Sequence, residues 1–142
     1  YFAKCSSLLK PDGLMLIQAI TIADQRFESM IKSTDFIRKY IFPGGCLPSV
    51  SVINSCLRNN TDMLMVGQED ITEHYAKTLR DWRIAFFDKI DEVRASGFDD
   101  VFIRMWEYYL CYCEGGFIER AIGTSQFVMA KPRFKGLPPV RH

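Results

Sequence analysis

The side chains that most often carry acid–base or metal chemistry are scarce in this sequence. Two of its 142 residues are histidines, His74 and His142, which leaves little room for histidine-based catalysis. Cys111 and Cys113 form a C-x-C pair without a second pair, and on a helix their thiols point in different directions. We therefore expect no metal site. The sequence also lacks a P-loop, a G-x-G-x-x-G turn, a G-x-S-x-G elbow and an H-E-x-x-H pair.

Four other side chains are candidates for a functional site, and each also has a structural interpretation. Gln18 is a polar residue inside an apolar strand, and a buried amide needs hydrogen-bond partners that a site could supply. Tyr75 and Cys113 lie on apolar helix faces, where each could be a core residue or could meet a ligand. Phe42, beside Pro43-Gly44-Gly45, could line a pocket as a lid residue or could plug a loop.

The elements that must position these residues follow from apolar spacing and turn signals. The near-continuous apolar run at 14–21, after the Asp12-Gly13 turn, predicts a strand buried on both faces, as in a parallel sheet covered by helices. In chain order we expect a helix end at 1–10, the strand 14–21, a helical stretch 24–40, a loop 42–45, a helix 48–60, a strand 63–66, helices 74–96 and 99–117, and a strand 124–130. This order predicts the second half of an α/β sheet protein, with its ligand beyond the carboxyl end of the first strand.

The two longest predicted helices each carry an apolar stripe. The stripe of the helix 74–96 consists of Tyr75, Leu79, Trp82, Phe86, Ile90 and Val93. The inner face of the helix 99–117 consists of Phe102, Met105, Trp106, Tyr109, Leu110 and Cys113. We expect residues 1–132 to form part of one domain and residues 133–142 to form a flexible tail.

Composition narrows the class of protein. With 48% hydrophobic and 25% charged residues, the chain has the composition of one modest globular domain. The 18 basic and 17 acidic residues nearly balance, which argues against a nucleic-acid partner. An odd count of five cysteines predicts reduced thiols in a cytoplasmic protein. Because the sequence has no apolar stretch long enough to span a bilayer, any contact with a membrane is expected to be peripheral. Because the opening residues, from Tyr1 onward, are typical of the middle of a helix, we expect this chain to be a fragment of a longer protein.

Three motifs, in order along the chain, carry a family resemblance. They are Tyr40–Ser49 (YIFPGGCLPS), His74–Trp82 (HYAKTLRDW) and Arg104–Leu110 (RMWEYYL). Together they strongly resemble the cyclopropane-fatty-acyl-phospholipid synthases and the related mycolic acid cyclopropane synthases, over residues 1–132. The resemblance implies the carboxyl-terminal part of a class I S-adenosylmethionine-dependent methyltransferase fold, a Rossmann-like α/β fold whose seventh strand enters antiparallel. The strands at 14–21, 63–69 and 124–130 would then be the fifth, sixth and seventh, with a helical insert.

The resemblance also implies an activity. Such enzymes transfer a methylene group from S-adenosylmethionine to the cis double bond of an unsaturated acyl chain on a membrane phospholipid. The alkene attacks the sulfonium methyl, a carbocation forms, and loss of a proton closes the ring, with bicarbonate implied as the base; some relatives add a methyl group instead. The glycine-rich loop and acidic residue that bind the cofactor are expected upstream of Tyr1, so we expect the isolated chain to be inactive.

The motifs also imply roles for four residues near the chemistry. Tyr75 matches the tyrosine whose hydroxyl helps to hold bicarbonate, and Ile20 matches a position whose backbone contacts that anion. Cys113 matches a cysteine near the active site, which we interpret as lining the pocket and not as a nucleophile. Gln18 stands where the best-known bacterial members carry a histidine, so its amide can donate a hydrogen bond but cannot share a proton with bicarbonate.

The first motif supplies the expected substrate-binding residues. Phe42 matches a pocket aromatic of the family, with Tyr40 and Gly44 of the same motif beside it. A carbocation in a dry pocket is stabilised by aromatic faces and by a nearby anion. Two other functions stay open: a non-catalytic lipid-binding or degenerate domain that retains the fold, and a methyltransferase for another small molecule. An oligomer stays open as well.

Overall fold

The computed structural model describes residues 1–136 of the chain, and residues 137–142 of the predicted tail lie outside the described residues. In chain order the elements are α1 (Phe2–Leu8), β1 (Leu14–Ile22), α2 (Asp24–Ile31), a π-helix (Ile37–Ile41), α3 (Val50–Asn60), β2 (Leu64–Asp70), α4 (Thr72–Asp88), α5 (Ile90–Ala95), α6 (Asp100–Ile118) and β3 (Ile122–Ala130). Two compact units result: residues 1–33, 46–71 and 123 onward form the first, and residues 34–45 and 72–122 form the second. Every helix in the described part of the chain is too short or too polar to cross a bilayer.

The first unit contains the sheet. Its strands lie in the order β1-β3-β2, so the last strand of the sequence is the central one. β2 and β3 are antiparallel, with Leu64 opposite Ala130 and Asp70 opposite Ser125. The antiparallel seventh strand that the resemblance implies is therefore confirmed.

One face of this sheet packs against α3 to form a core. The core consists of Ile53, Leu57, Met63, Phe127 and Met129, with Met15, Ile17 and Ala19 of β1 packed against it. The two α3 residues lie on the helix face that the sequence predicts as apolar. Phe127 and Met129 are fully buried, which follows from the central position of β3.

β1 is buried on one face, which corrects the prediction that it is buried on both. Leu16 is 50% exposed, and Gln18 is also exposed. Side chains alternate along a strand, so these two point away from the core that Met15 and Ile17 contact. β1 is an outer strand of the described sheet, whereas the near-complete burial expected for it occurs in β3.

Side-chain caps define the starts of α3 and α6. The Ser49 hydroxyl accepts a hydrogen bond from the Val52 N–H at 3.3 Å, and the Asp99 carboxylate accepts one from the Phe102 N–H at 2.8 Å. Both caps lie where serine and aspartate predict a helix start. Gly97 has a φ of +90°, the left-handed conformation that favours glycine after a helix end.

In the second unit, α4 packs against α6 through buried apolar residues. Leu79 and Leu110 are 2% and 3% exposed, respectively. The single helix predicted at 74–96 is wrong, because the backbone leaves helical geometry at Lys89, between α4 and α5. The apolar spacing continues across this position, so the pattern could not reveal the break. Trp82, predicted on the apolar stripe, is 51% exposed.

Candidate functional site

The seven predicted site residues divide between the two units. Gln18 and Ile20 lie on β1, Tyr75 lies on α4, Cys113 lies on α6, and Tyr40, Phe42 and Gly44 lie in the segment 34–45. Within the second unit the structure brings Phe42, Tyr75 and Cys113 together around Tyr109 of α6. The sequence places Tyr109 on the inner helix face but assigns it no chemical role.

Tyr109 is the centre of a group of aromatic and thiol side chains. The Phe42 ring meets the Tyr109 ring edge to face, with the centroids 5.9 Å apart, and the Trp106 ring lies 5.2 Å from it. Tyr75 and Cys113 are close enough to interact electrostatically with the Tyr109 hydroxyl. Trp106, Tyr109 and Cys113 share one face of α6 because they are three and four positions apart. We call these five residues the Tyr109 cluster.

The Tyr109 cluster disfavours ionisation of two of its side chains, Tyr109 and Cys113. Burial raises the pKa of the Tyr109 hydroxyl, and the charges that Cys113 and Tyr75 would carry on ionisation raise it further. Burial, and then the nearby carboxylate of Asp35, raises the pKa of the Cys113 thiol to about 11. At neutral pH this thiol is protonated, and a protonated thiol is a poor nucleophile. The environment therefore favours a lining role for Cys113 over an attacking one.

A tight turn presents Phe42 to the cluster. The Gly45 N–H donates a hydrogen bond to the Phe42 carbonyl at 2.9 Å, and Gly44 has a φ of +78°. A side chain at Gly44 would be strained in this conformation. Phe42 is 55% exposed although its ring contacts Tyr109, so it lies at the open edge of the cluster.

A buried carboxylate that the sequence analysis overlooks braces α4 against α6. The Glu114 side chain is 9% exposed and accepts hydrogen bonds from Arg80 Nε at 2.9 Å and Arg83 Nη2 at 3.2 Å. Glu114 follows Cys113 directly, so the brace holds the two helices together beside the Tyr109 cluster. The available signal was a glutamate one turn after Leu110, within an otherwise apolar helix face.

Gln18 is not the buried amide that the sequence predicts. Its side chain is exposed on β1, and its Oε1 accepts a hydrogen bond from Gln126 Nε2 of β3 at 3.4 Å. Ile20, two residues further along β1, is partly buried. The physical reason is that no element of the described residues covers the face of β1 that carries Leu16 and Gln18.

Comparison with known proteins now identifies the family. The sequence model of the family described as mycolic acid cyclopropane synthetase matches residues 1–127. This chain belongs to that family. It is 40% identical over 131 residues to tuberculostearic acid methyltransferase UfaA1 of Mycobacterium tuberculosis, covering 92% of this chain and 31% of that protein. It is 33% identical over 141 residues to cyclopropane-fatty-acyl-phospholipid synthase of Escherichia coli K12, covering 99% and 35%.

The chain therefore spans about a third of the length of these two relatives, and solved structures confirm the fold. The cyclopropane synthase MmaA2 from Mycobacterium tuberculosis has a TM-score of 0.79 at 26% identity, covering 92% of this chain and 48% of that one. Mycolic acid cyclopropane synthase CmaA1, complexed with SAH and CTAB, has a TM-score of 0.78 at 29% identity, with the same coverage. The predicted family and the predicted class of methyltransferase fold are both confirmed.

The described residues do not include the glycine turn typical of an S-adenosylmethionine site. Within residues 1–136 the glycines with positive φ are Gly44 and Gly97, and neither follows a β-strand, as the cofactor turn of a Rossmann-like fold does. Asp24 follows β1, but its carboxylate accepts hydrogen bonds from Ser49 and Ser51, which lower its pKa. The residues present therefore do not fit this group.

The groups of the second unit act in opposite directions on a small anion. The Tyr75 hydroxyl can donate a hydrogen bond, and the neutral Tyr109 and Cys113 beside it place no negative charge against an anion. The carboxylate of Asp35 opposes an anion near Cys113.

In the described part of the chain, no three metal-ligating side chains stand close enough to hold a metal ion.

Proposed function

We propose that this chain is part of an enzyme that transfers a methylene or methyl group from S-adenosylmethionine to the cis double bond of an unsaturated phospholipid acyl chain. Family membership and the names of the relatives support this activity. The observation that carries it is the Tyr109 cluster, which combines aromatic faces, neutral hydroxyl and thiol groups, and a half-exposed Phe42 at its edge.

The cluster suits a reaction that passes through a cation. Bound S-adenosylmethionine would supply the carbon: as the π electrons of the alkene form a bond to it, its bond to the sulfonium sulfur would break and that electron pair would leave with S-adenosylhomocysteine. The other alkene carbon then becomes electron-deficient. The faces of Phe42 and Tyr109 stabilise this positive charge without forming a bond to it. A thiolate at Cys113 would capture the cation, whereas the raised pKa keeps this sulfur protonated.

Proton removal completes the proposed reaction. The proton lost from the transferred carbon passes to bicarbonate, and the electron pair of that bond closes the ring. We assign to the Tyr75 hydroxyl the role of holding this anion by a hydrogen bond. The roles implied for Gln18 and Ile20 stay predictions, as does the substrate contact implied for Tyr40. S-adenosylmethionine is expected to bind to polypeptide outside these 142 residues.

The test is expression of the complete natural coding sequence containing these residues in Escherichia coli cells that lack their own cyclopropane synthase. Gas chromatography with mass spectrometry of the phospholipid acyl chains separates ring products from branched methyl products. We expect new products of one kind, and a loss of at least about tenfold for Tyr75→Phe. The matched control is Tyr1→Phe, which removes a hydroxyl from a tyrosine of the first unit, whereas Tyr75 belongs to the second.

The cysteines supply a second matched pair. Cys113→Ser should retain most of the activity because the thiol is proposed only to line the pocket, and Cys111→Ser alters an exposed thiol as its control. A folded protein that binds S-adenosylhomocysteine but leaves unsaturated lipids unmodified would overturn the proposal in favour of a lipid-binding domain or of another methyl acceptor. For the isolated 142-residue chain, calorimetry should show no saturable micromolar binding of S-adenosylmethionine.

A further inference from the structure

A second group of aromatic rings in the second unit faces solvent. Tyr40, Tyr108 and Tyr112 are 53%, 51% and 45% exposed. Phe36 joins them, since its ring centroid lies 5.4 Å from that of Tyr40 and 4.6 Å from that of Tyr108, while Tyr108 stacks on Tyr112 at 5.8 Å. The π-helix and α6 thus present a continuous aromatic surface.

Basic side chains flank these rings. The Lys39 ammonium group lies over the Tyr40 ring, 5.0 Å from its centroid. Arg104 is exposed and lies one turn before Tyr108 on the same face of α6. We call Phe36, Lys39, Tyr40, Arg104, Tyr108 and Tyr112 the aromatic–basic surface.

The neighbouring carboxylates do not cancel this charge. The Asp35 carboxylate accepts a hydrogen bond from the Arg38 N–H at 2.9 Å, at the start of the π-helix. Glu107 precedes Tyr108 and therefore points about 100° away from it around α6. Asp100, one turn before Arg104 on α6, forms an ion pair with Arg94 at 3.1 Å. Within residues 1–136, neither Lys39 nor Arg104 forms an ion pair.

We propose that the aromatic–basic surface docks on a phospholipid bilayer that contains anionic headgroups. Half-exposed tyrosines beside lysine and arginine match a membrane–water interface, where the rings lie among the headgroups and the cations meet phosphates. The charge complementarity favours this occupant over a second copy of the chain, whose surface would carry the same cations.

The surface also adjoins the Tyr109 cluster. Tyr108 and Tyr109 are consecutive on α6, and Tyr40 and Phe42 belong to the same short segment. Docking would therefore hold the edge of the cluster marked by Phe42 close to the acyl chains. This assignment of a partner rests on the proposed function, because it places a lipid substrate beside the site.

The test is sedimentation of the 142-residue chain with lipid vesicles, either pure phosphatidylcholine or with about a third phosphatidylglycerol. We expect binding to the anionic vesicles and much less to the neutral ones. The double variant Lys39→Gln with Arg104→Gln should weaken binding to anionic vesicles about 30-fold, because each cation contributes roughly a fivefold factor and the two factors multiply. Tyr108→Gln with Tyr112→Gln should weaken it by a similar factor. The matched control is Tyr1→Gln with Lys4→Gln, which removes one exposed ring and one cation from the first unit.

The outcomes separate the docking surface from the proposed chemistry. Circular dichroism of each variant checks that it is folded, and sedimentation velocity checks its mass. Absence of vesicle binding, equal binding by the variants and the wild-type chain, or a dimer abolished by the same substitutions would overturn the proposal. Vesicle binding requires no turnover, so it can fail while the complete protein still modifies detergent-dispersed unsaturated lipid, and it can succeed when no product forms.

Discussion

The thiol of Cys113 should be alkylated far more slowly than an ordinary exposed thiol at about pH 8. Its pKa is raised to about 11, first by burial and then by the carboxylate of Asp35. Iodoacetamide reacts with the thiolate, so the rate depends on the small ionised fraction. The perturbation is therefore simple: the pH is raised, and the reaction of one cysteine is followed.

The expected magnitude follows from the two pKa values. With a pKa of about 11, about 0.1% of the Cys113 thiols are ionised at about pH 8, against roughly a quarter for a thiol of pKa ~8.5. The ratio is roughly 200-fold. A more basic thiolate is also more nucleophilic, which recovers about 13-fold at a Brønsted coefficient of ~0.45. Alkylation of Cys113 should thus be about 15-fold slower than that of a free cysteine peptide, and slower still where burial limits access.

The assay is peptide mass spectrometry of the chain after timed alkylation between about pH 7 and 10.5. The Cys113 rate should rise about tenfold for each pH unit through pH ~10, without reaching a plateau. Asp35→Asn should lower the pH at which Cys113 reacts, by less than the whole shift because burial is the larger cause. Asp88→Asn is the matched control, on an exposed carboxylate at the end of α4. Alkylation at the free-peptide rate at about pH 8, or a plateau in rate below pH ~9.5, would show that the pKa of Cys113 is not raised.

The raised pKa of Cys113 should make the free energy of unfolding fall at alkaline pH. The folded chain keeps the Cys113 proton to a higher pH than the unfolded chain, so unfolding releases a proton between these two pKa values. The contribution to stability is complete below the unfolded pKa of ~8.5 and is lost as the pH rises toward about 11. Urea denaturation at a series of pH values should show this decline, and Cys113→Ser should reduce it.

Three other predictions concern stability and use urea or thermal denaturation. Glu114→Ala should lower the free energy of unfolding by about 2–3 kcal/mol, since it leaves two arginines without their buried partner. Arg80→Ala should lower it by under ~1 kcal/mol, because that side chain is 57% exposed. Equal losses for the two variants would contradict the role of Glu114 as the buried brace. Lys131 and then Ser6 lower the pKa of Asp62, so the ionised Asp62 stabilises the fold at neutral pH and this stabilisation is lost as acid protonates it. Asp62→Asn should therefore reduce the fall in the free energy of unfolding at acid pH. An unchanged fall would contradict the prediction. Phe127→Ala should cost about 3–5 kcal/mol, since Phe127 is 0% exposed, and a loss under ~1 kcal/mol would mean that the core is misassigned.

Much of the fold could be predicted because its signals are local. The apolar runs mark the strands, and Ser49 and Asp99 mark the starts of α3 and α6 through side chains that act within three residues. The three motifs predicted the antiparallel last strand, which the pairing of β2 with β3 confirms. The break at Lys89 was missed because apolar spacing is the same on either side of it.

Burial is where prediction from local pattern was wrong. Leu16 and Gln18 lie in an apolar run, yet both are exposed, because no element of the described residues covers the face of β1 on which they lie. Trp82 has helical spacing with Leu79 but is half exposed. Spacing specifies which residues share a face, whereas burial requires that another element cover that face.

Residue types and local spacing were thus enough to predict the family, the kinds of element and the identities of the candidate groups. These properties depend on residue types and on neighbours within a few positions. Chain folding places Tyr109 among Phe42, Tyr75 and Cys113, and it brings Glu114 to two arginines of α4. A pKa, a buried ion pair and an exposed aromatic surface depend on groups far apart in the chain, and chain folding brings these groups within a few ångströms of one another.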